Sequence, residues 1–201
     1  MANSEDSDDD LQVPDVIYRW TFNTNGNMPR VWLSSAETLL AAARAVKKAA
    51  EEKGGQAAFE QGLMIADYQP YALLLGYAIE CLLKARWVKN GNKLVRDGRL
   101  LNEPPFGKHE LGKMARTVGV TLSPKELSVL DRLSSFVQFA GRYPIPPTWE
   151  QTRPVRTGGA EKIAPNYFGR EDFQRAELVA KRLKSELLYA ALTQTEESDP
   201  Q

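Results

Sequence analysis

Residues 71–88, YALLLGYAIECLLKARWV, form a near-continuous apolar segment with one acid, Glu80, set in its middle. A helix that is hydrophobic on nearly every side belongs at the centre of a helical domain rather than on its surface. A bilayer span needs about 20 predominantly apolar residues, and here Glu80, Lys84 and Arg86 intervene. The stretch therefore predicts a buried core helix and no membrane span. A carboxylate inside such a helix is costly unless it is paired or protonated, so Glu80 needs a partner. Lys84 lies four residues on along the same face, and Gly76, one turn earlier, lets another helix approach closely.

The core helix opens near Pro70 and closes at Asn90-Gly91. Upstream, Ser34-x-x-Glu37 has the capping-box pattern, followed by Leu39, Leu40, Ala43, Val46 and Ala50 at helical spacing, with Gly54-Gly55 as the stop. Downstream, a short helix is expected over about 108–118 with Leu111, Met114, Ala115 and Val118 inward. Ser123-Pro124 then makes an N-cap and first-turn pair for a fourth helix carrying Leu127, Leu130, Leu133, Ser134, Phe136, Val137 and Ala140. The last helix starts near Arg170, with Phe173, Ala176, Ala180, Leu183, Leu187 and Ala190 as its buried stripe.

About five helices and no clear strand ladder predict an all-α bundle. Residues 15–33 hold Trp20, Phe22 and Trp32 among turn residues, which predicts an irregular or weakly extended segment packing its aromatics on the body. Residues 1–14 read as a disordered acidic tail, 15–192 as one helical domain and 193–201 as a flexible end. The connection before the last helix, residues 143–169, is long for a bundle and rich in proline, aromatic and basic residues. Long loops are often functional.

Composition narrows the chemistry. The 201 residues carry 26 basic and 26 acidic side chains, so no global field draws in nucleic acid or an anionic membrane. One cysteine and one histidine cannot supply a four-ligand zinc site, and no glycine-rich phosphate loop or dinucleotide fingerprint is present, so no metal or cofactor is expected. Cys81 sits in the apolar helix and reads as a small buried hydrophobe. The N-terminus has no charged-then-apolar leader, and a cytoplasmic protein is expected.

Three segments carry a resemblance. In order they are Ala78-Ile79-Glu80-Cys81-Leu82-Leu83-Lys84-Ala85, His109-Glu110-Leu111 and Gly141-Arg142-Tyr143-Pro144. Their order, spacing and helical setting resemble the HEPN superfamily (higher eukaryotes and prokaryotes nucleotide-binding) over roughly residues 34–192. The resemblance implies a helical bundle, a homodimer, and a place in a bacterial defence or toxin–antitoxin system. Many such domains are ribonucleases built on an Arg and a His separated by four to six residues. This chain departs from that pattern: His109 is its only histidine, and nine residues separate it from the nearest preceding arginine, Arg99. Histidine is the side chain that exchanges protons readily near neutral pH, so the nuclease activity is not carried over.

The residues and the resemblance together leave three functions open. The first is a non-catalytic HEPN-like module binding nucleotide or RNA through Arg153, Arg156, Lys162, Arg170, Trp149 and Tyr167, where basic groups meet phosphate and aromatics stack on bases. The second is a dimeric scaffold or protein-interaction module with no nucleic-acid role. The third is an atypical ribonuclease using His109 and Arg142. A polar cluster of Glu80, Lys84, His109, Arg142 and Tyr143 is expected in each, as a structural network or as the wall of a pocket.

Overall fold

The computed structural model of the chain describes residues 15–52, 68–101, 105–140, 142, 148, 150, 155–156, 162–163 and 168–196, with backbone alone at 155–156, 162–163 and 190–196. Six α-helices run through these residues: α1 Asp15–Gly26, α2 Pro29–Ala50, α3 Gln69–Lys89, α4 Leu111–Thr117, α5 Pro124–Ser135 and α6 Arg170–Glu196. Two hairpins of two-residue strands, β1 Val95–Arg96 with β2 Arg99–Leu100 and β3 Val155–Arg156 with β4 Lys162–Ile163, are the strand content described. The fold is an all-α bundle.

Helix α3 is its axis. Buried side chains lie all round it, from Tyr71, Ala72 and Leu75 through Ile79, Leu82 and Leu83 to Val88. Helix α2 packs along one flank with Ala36, Ala43 and Ala50, whose small side chains permit a long close contact. Helix α6 takes a second flank, and α5 with the π-helical turn Phe136–Ala140 takes a third. Gly76 makes that third approach possible: a Cβ there would stand 2.5 Å from Val137 Cγ2. The helix ends at Asn90, with Gly91 in the left-handed region at φ 84°, where glycine carries no steric penalty.

The N-terminal third departs from expectation in two ways. Residues 15–26 form helix α1 rather than an irregular segment, and none of its residues is buried. Its turn-forming side chains clamp a neighbour instead. Asn27 accepts from the backbone N–H groups of Leu94 and Val95 at 2.9 and 3.1 Å and donates to the Val95 carbonyl at 2.8 Å, while Asn23 accepts from Gly98 N–H at 2.9 Å. Of the aromatics, Trp32 packs against the core, whereas Trp20 and Phe22 are exposed. Helix α2 begins at Pro29, five residues before the anticipated cap at Ser34, because extended Met28 followed by Pro29 starts the helix earlier. Ser34 is then an interior residue whose carbonyl accepts from Thr38 Oγ1.

The hairpin β1–β2 turns on Asp97 and Gly98, both at positive φ (52° and 74°), the requirement of a tight two-residue hairpin turn. Between it and α4, residues Phe106–Lys108 form a 3-10 turn, and His109 sits in the left-handed region at φ 55°, so α4 starts at Leu111 rather than near Lys108. The inward set Leu111, Met114, Ala115 and Val118 is buried. Helix α5 carries a complete capping box, Ser123 with Glu126, and backbone and hydroxyl bonds from Ser123 hold the Glu126 carboxyl below the usual carboxylate range despite partial desolvation. Helix α6 continues past Thr193, where the flexible end was placed, to Glu196. Gly54-Gly55, the tail 1–14 and most of the connection 143–169 lie outside the described residues.

Candidate functional site

Glu80 lies at the middle of the most buried helix and is 3% exposed. Both carboxylate oxygens are used. Lys84 Nζ reaches Oε1 at 2.7 Å, and His109 Nδ1–H donates to Oε2 at 2.8 Å. Lys84, itself buried, lies 5.0 Å from the ring centroid of Trp32, and Trp32 Nε1 donates to the Gly26 carbonyl at 2.9 Å. The Tyr77 ring meets the His109 imidazole edge-on, centroids 6.4 Å apart. The cluster thus ties α3 to the start of α2 and to the bend before α4.

The geometry follows from local sequence. The helical repeat brings Lys84 over Glu80, and the left-handed backbone at His109 turns its ring back toward α3 instead of continuing the 3-10 turn. With Nδ1 fixed on the carboxylate, Nε2 is the position at which the imidazole can accept or give a proton, and the side chain is 39% exposed. That is an oriented histidine at a half-open bend.

Arg142 is placed differently from expectation. Glu80's ionic partners among the described residues are Lys84 and His109, while the exposed Arg142 donates through Nη2 to the Gln138 carbonyl at 2.5 Å. Gln138 Nε2 in turn donates to the Lys108 carbonyl at 2.7 Å. Arg142 therefore joins the outer side of the bend that carries Lys108 and His109, not the buried carboxylate. Tyr143, Trp149, Arg153 and Tyr167 lie outside the described residues. Arg156 and Lys162 are cross-strand partners in the β3–β4 hairpin, described by backbone alone, and Arg170 is exposed at the start of α6.

Two further networks escaped sequence reasoning. Arg132, buried in α5, forms a two-pronged pair with Asp172 of α6, at 3.0 Å from Nη1 to Oδ2 and 2.5 Å from Nη2 to Oδ1, and stacks 5.0 Å from the Phe168 ring centroid. The signal was a charged residue on the apolar stripe Val129–Leu133–Phe136, the same signal that singled out Glu80. On the other flank, Glu177 of α6 accepts from the Tyr71 hydroxyl and from Lys47 Nζ, the latter at 2.9 Å. Burial and the adjacent carboxylate push the Tyr71 phenol far above its usual range. Burial also pushes the Cys81 thiol up to about 11, which keeps it protonated and unreactive at neutral pH.

Among the described residues no three His, Cys, Asp or Glu side chains converge as a metal site, and no helix is long and apolar enough to cross a membrane. Compared with protein-family models, curated proteins and solved structures, the chain matches none.

Proposed function

We propose that this chain is a helical interaction module that self-associates through α1, the scaffold alternative that the sequence leaves open. One observation carries the reading. Val16, Ile17, Tyr18, Trp20 and Phe22 are all exposed on a helix that buries none of its residues. Tyr18 and Phe22 line a cleft of about 530 Å³ together with Val31 of α2, Trp32, Val95 and Leu100 of β2, while helical spacing sets Val16 and Trp20 on the opposite side of α1.

The cleft side alone, with Tyr18, Phe22, Val31 and Leu100, presents on the order of 300–400 Å² of apolar surface, the size of the largest patch on a monomer, which is often functional. The occupant is a second copy. Helix α1 carries one acid, Asp15, and one base, Arg19, so the face has no charge excess to select an acidic or basic partner, and its own mirror supplies a matching apolar area. The first ten residues, with five acids, offer little apolar surface to cover it. Exposed aromatics at the centre of a patch are the residues that dominate such interfaces.

Sedimentation of the wild type at tens of micromolar is expected to show a dimer. Trp20→Ser/Phe22→Ser should weaken it about a hundredfold or more with unchanged circular dichroism, because neither side chain supports the core. A wild type that sediments as a monomer would sink the reading, as would a dimer indifferent to the double substitution.

A second reading rests on the bend at His109. Lys108 and Arg142 are linked through the two Gln138 hydrogen bonds and are exposed beside the half-exposed His109, a grouping suited to phosphate contact by a nucleotide or RNA. It supports the nucleotide-binding expectation drawn from the HEPN resemblance. Two contacts, from Lys108 and Arg142, on single-stranded RNA imply a salt slope of about −1.4, at about −0.7 per phosphate. Lys108→Ala/Arg142→Ala should remove most of that slope in a filter-binding titration across salt; no binding of RNA at low salt removes this reading.

A further inference from the structure

Helices α2 and α6 both pack on α3 without packing closely on each other, and the cleft between them is held at two points. Glu37 bonds Lys184 at 2.7 Å, and Lys47 bonds Glu177 at 2.9 Å. Rising numbers on α2 meet falling numbers on α6, so the helices are antiparallel and the two ion pairs act as rungs. The stretch between the rungs is a cavity of about 440 Å³. Its floor is apolar, with Leu40, Ala43, Leu75 and Ala180, and the short side chains of Ala43 and Ala180 are what leave it open.

The middle of this window is electrically incomplete. Each end rung pairs an acid with a base. Between them, Arg44 of α2 and Lys181 of α6 both line the cavity, and neither forms an ion pair among the described residues. Lys184 and Glu177 are spoken for by the rungs, and the Tyr71 hydroxyl is spent on Glu177. Two cations of like sign therefore face one cleft over an apolar floor, with the Ser185 hydroxyl on the rim. With Lys184 the lining carries three cations against the single carboxylate of Glu177, and an anion placed between Arg44 and Lys181 would gain two charge-assisted hydrogen bonds.

We propose that this window binds a small organic anion, a carboxylate or sulfonate with a hydrocarbon or aryl body, whose charge sits between Arg44 and Lys181 and whose body lies on Leu40, Leu75 and Ala180. The volume falls in the ordinary range for a small-molecule site, roughly 300–1,000 Å³. The floor sets the requirement for an apolar body, and the two cations set the sign of the head. The site shares no residue with α1, so it stands apart from the self-association face.

The test uses the full chain and 8-anilinonaphthalene-1-sulfonate, an aryl sulfonate whose fluorescence rises in apolar surroundings. Saturable binding at one site per chain is expected, displaced by decanoate but not by the same concentration of inorganic phosphate. Arg44→Gln/Lys181→Gln should weaken it about tenfold or more. Both positions are exposed, so the variant keeps its fold, which circular dichroism checks. Ala180→Phe should block the window, and Trp20→Ser/Phe22→Ser should leave the titration unchanged. Binding that survives the Arg44/Lys181 change, or that disappears with the α1 change, would overturn the proposal, and displacement by phosphate alone would overturn the apolar-body requirement.

Discussion

Glu80→Ala is expected to destabilise the protein by about 3–5 kcal/mol, the cost of leaving one member of a buried ion pair without its partner. For a chain of this size that is a fall in melting temperature of roughly 6–20 °C. Most of the effect comes from Lys84, whose ammonium stays buried beneath Trp32 with its short contact to Glu80 gone. His109 contributes less, because its 39% exposed ring can turn to water. The pair itself is not a source of net stability, since burying both charges is nearly as costly as their attraction is favourable. Glu80→Leu/Lys84→Met should therefore recover most of the loss. Its remaining deficit would measure what the cluster contributes through His109 to the bend before α4. Urea denaturation of the three proteins decides the matter: an unchanged midpoint in Glu80→Ala refutes the buried-pair account, and a double variant no better than the single one refutes the balance of desolvation against attraction.

How much of this was legible in the sequence depends on the range of the interaction. Helix α3, its stop at Asn90-Gly91 and the Ser123 capping box were readable because each is fixed by residues within one or two turns. The isolation of Glu80 in an apolar run announced a buried polar cluster, and i,i+4 spacing named Lys84. Helix α1 was misjudged because Asn23, Asn25, Gly26 and Asn27 look like loop punctuation, when Asn23 and Asn27 spend their side chains on backbone groups about 70 positions away. Asp97-Gly98 is a hairpin signal, but its flanking strands are too short to show alternation. Arg142 was expected in the Glu80 cluster because it ends the fourth helix as His109 opens the third, and converging ends would bring both to the carboxylate. The bond of Arg142 to the carbonyl of Gln138, four residues back, is set by how the chain leaves the π-helical turn, which composition does not encode.

Asp172→Ala is expected to cost about as much as Glu80→Ala, about 3–5 kcal/mol, because it breaks a buried, two-pronged ion pair. Without Arg132, the Asp172 carboxylate keeps the Gly169 N–H at 3.0 Å and the Arg175 guanidinium at 4.0 Å, and its side chain is 14% exposed. Without Asp172, the Arg132 guanidinium, 5% exposed, loses both carboxylate contacts and keeps its place 5.0 Å over the Phe168 ring. Arg132→Lys is not conservative here, because an ammonium cannot make the two parallel bonds and stacks less well on the ring. The pair joins α5 to the first turn of α6, so its loss should loosen α6 before the rest of the bundle. Hydrogen exchange is the sharper readout: amides of α6 from Phe173 to Leu183 are expected to lose protection in Asp172→Ala while those of α3 hold theirs. Uniform loss across α3 and α6 would show that the clamp stabilises the whole core rather than one helix.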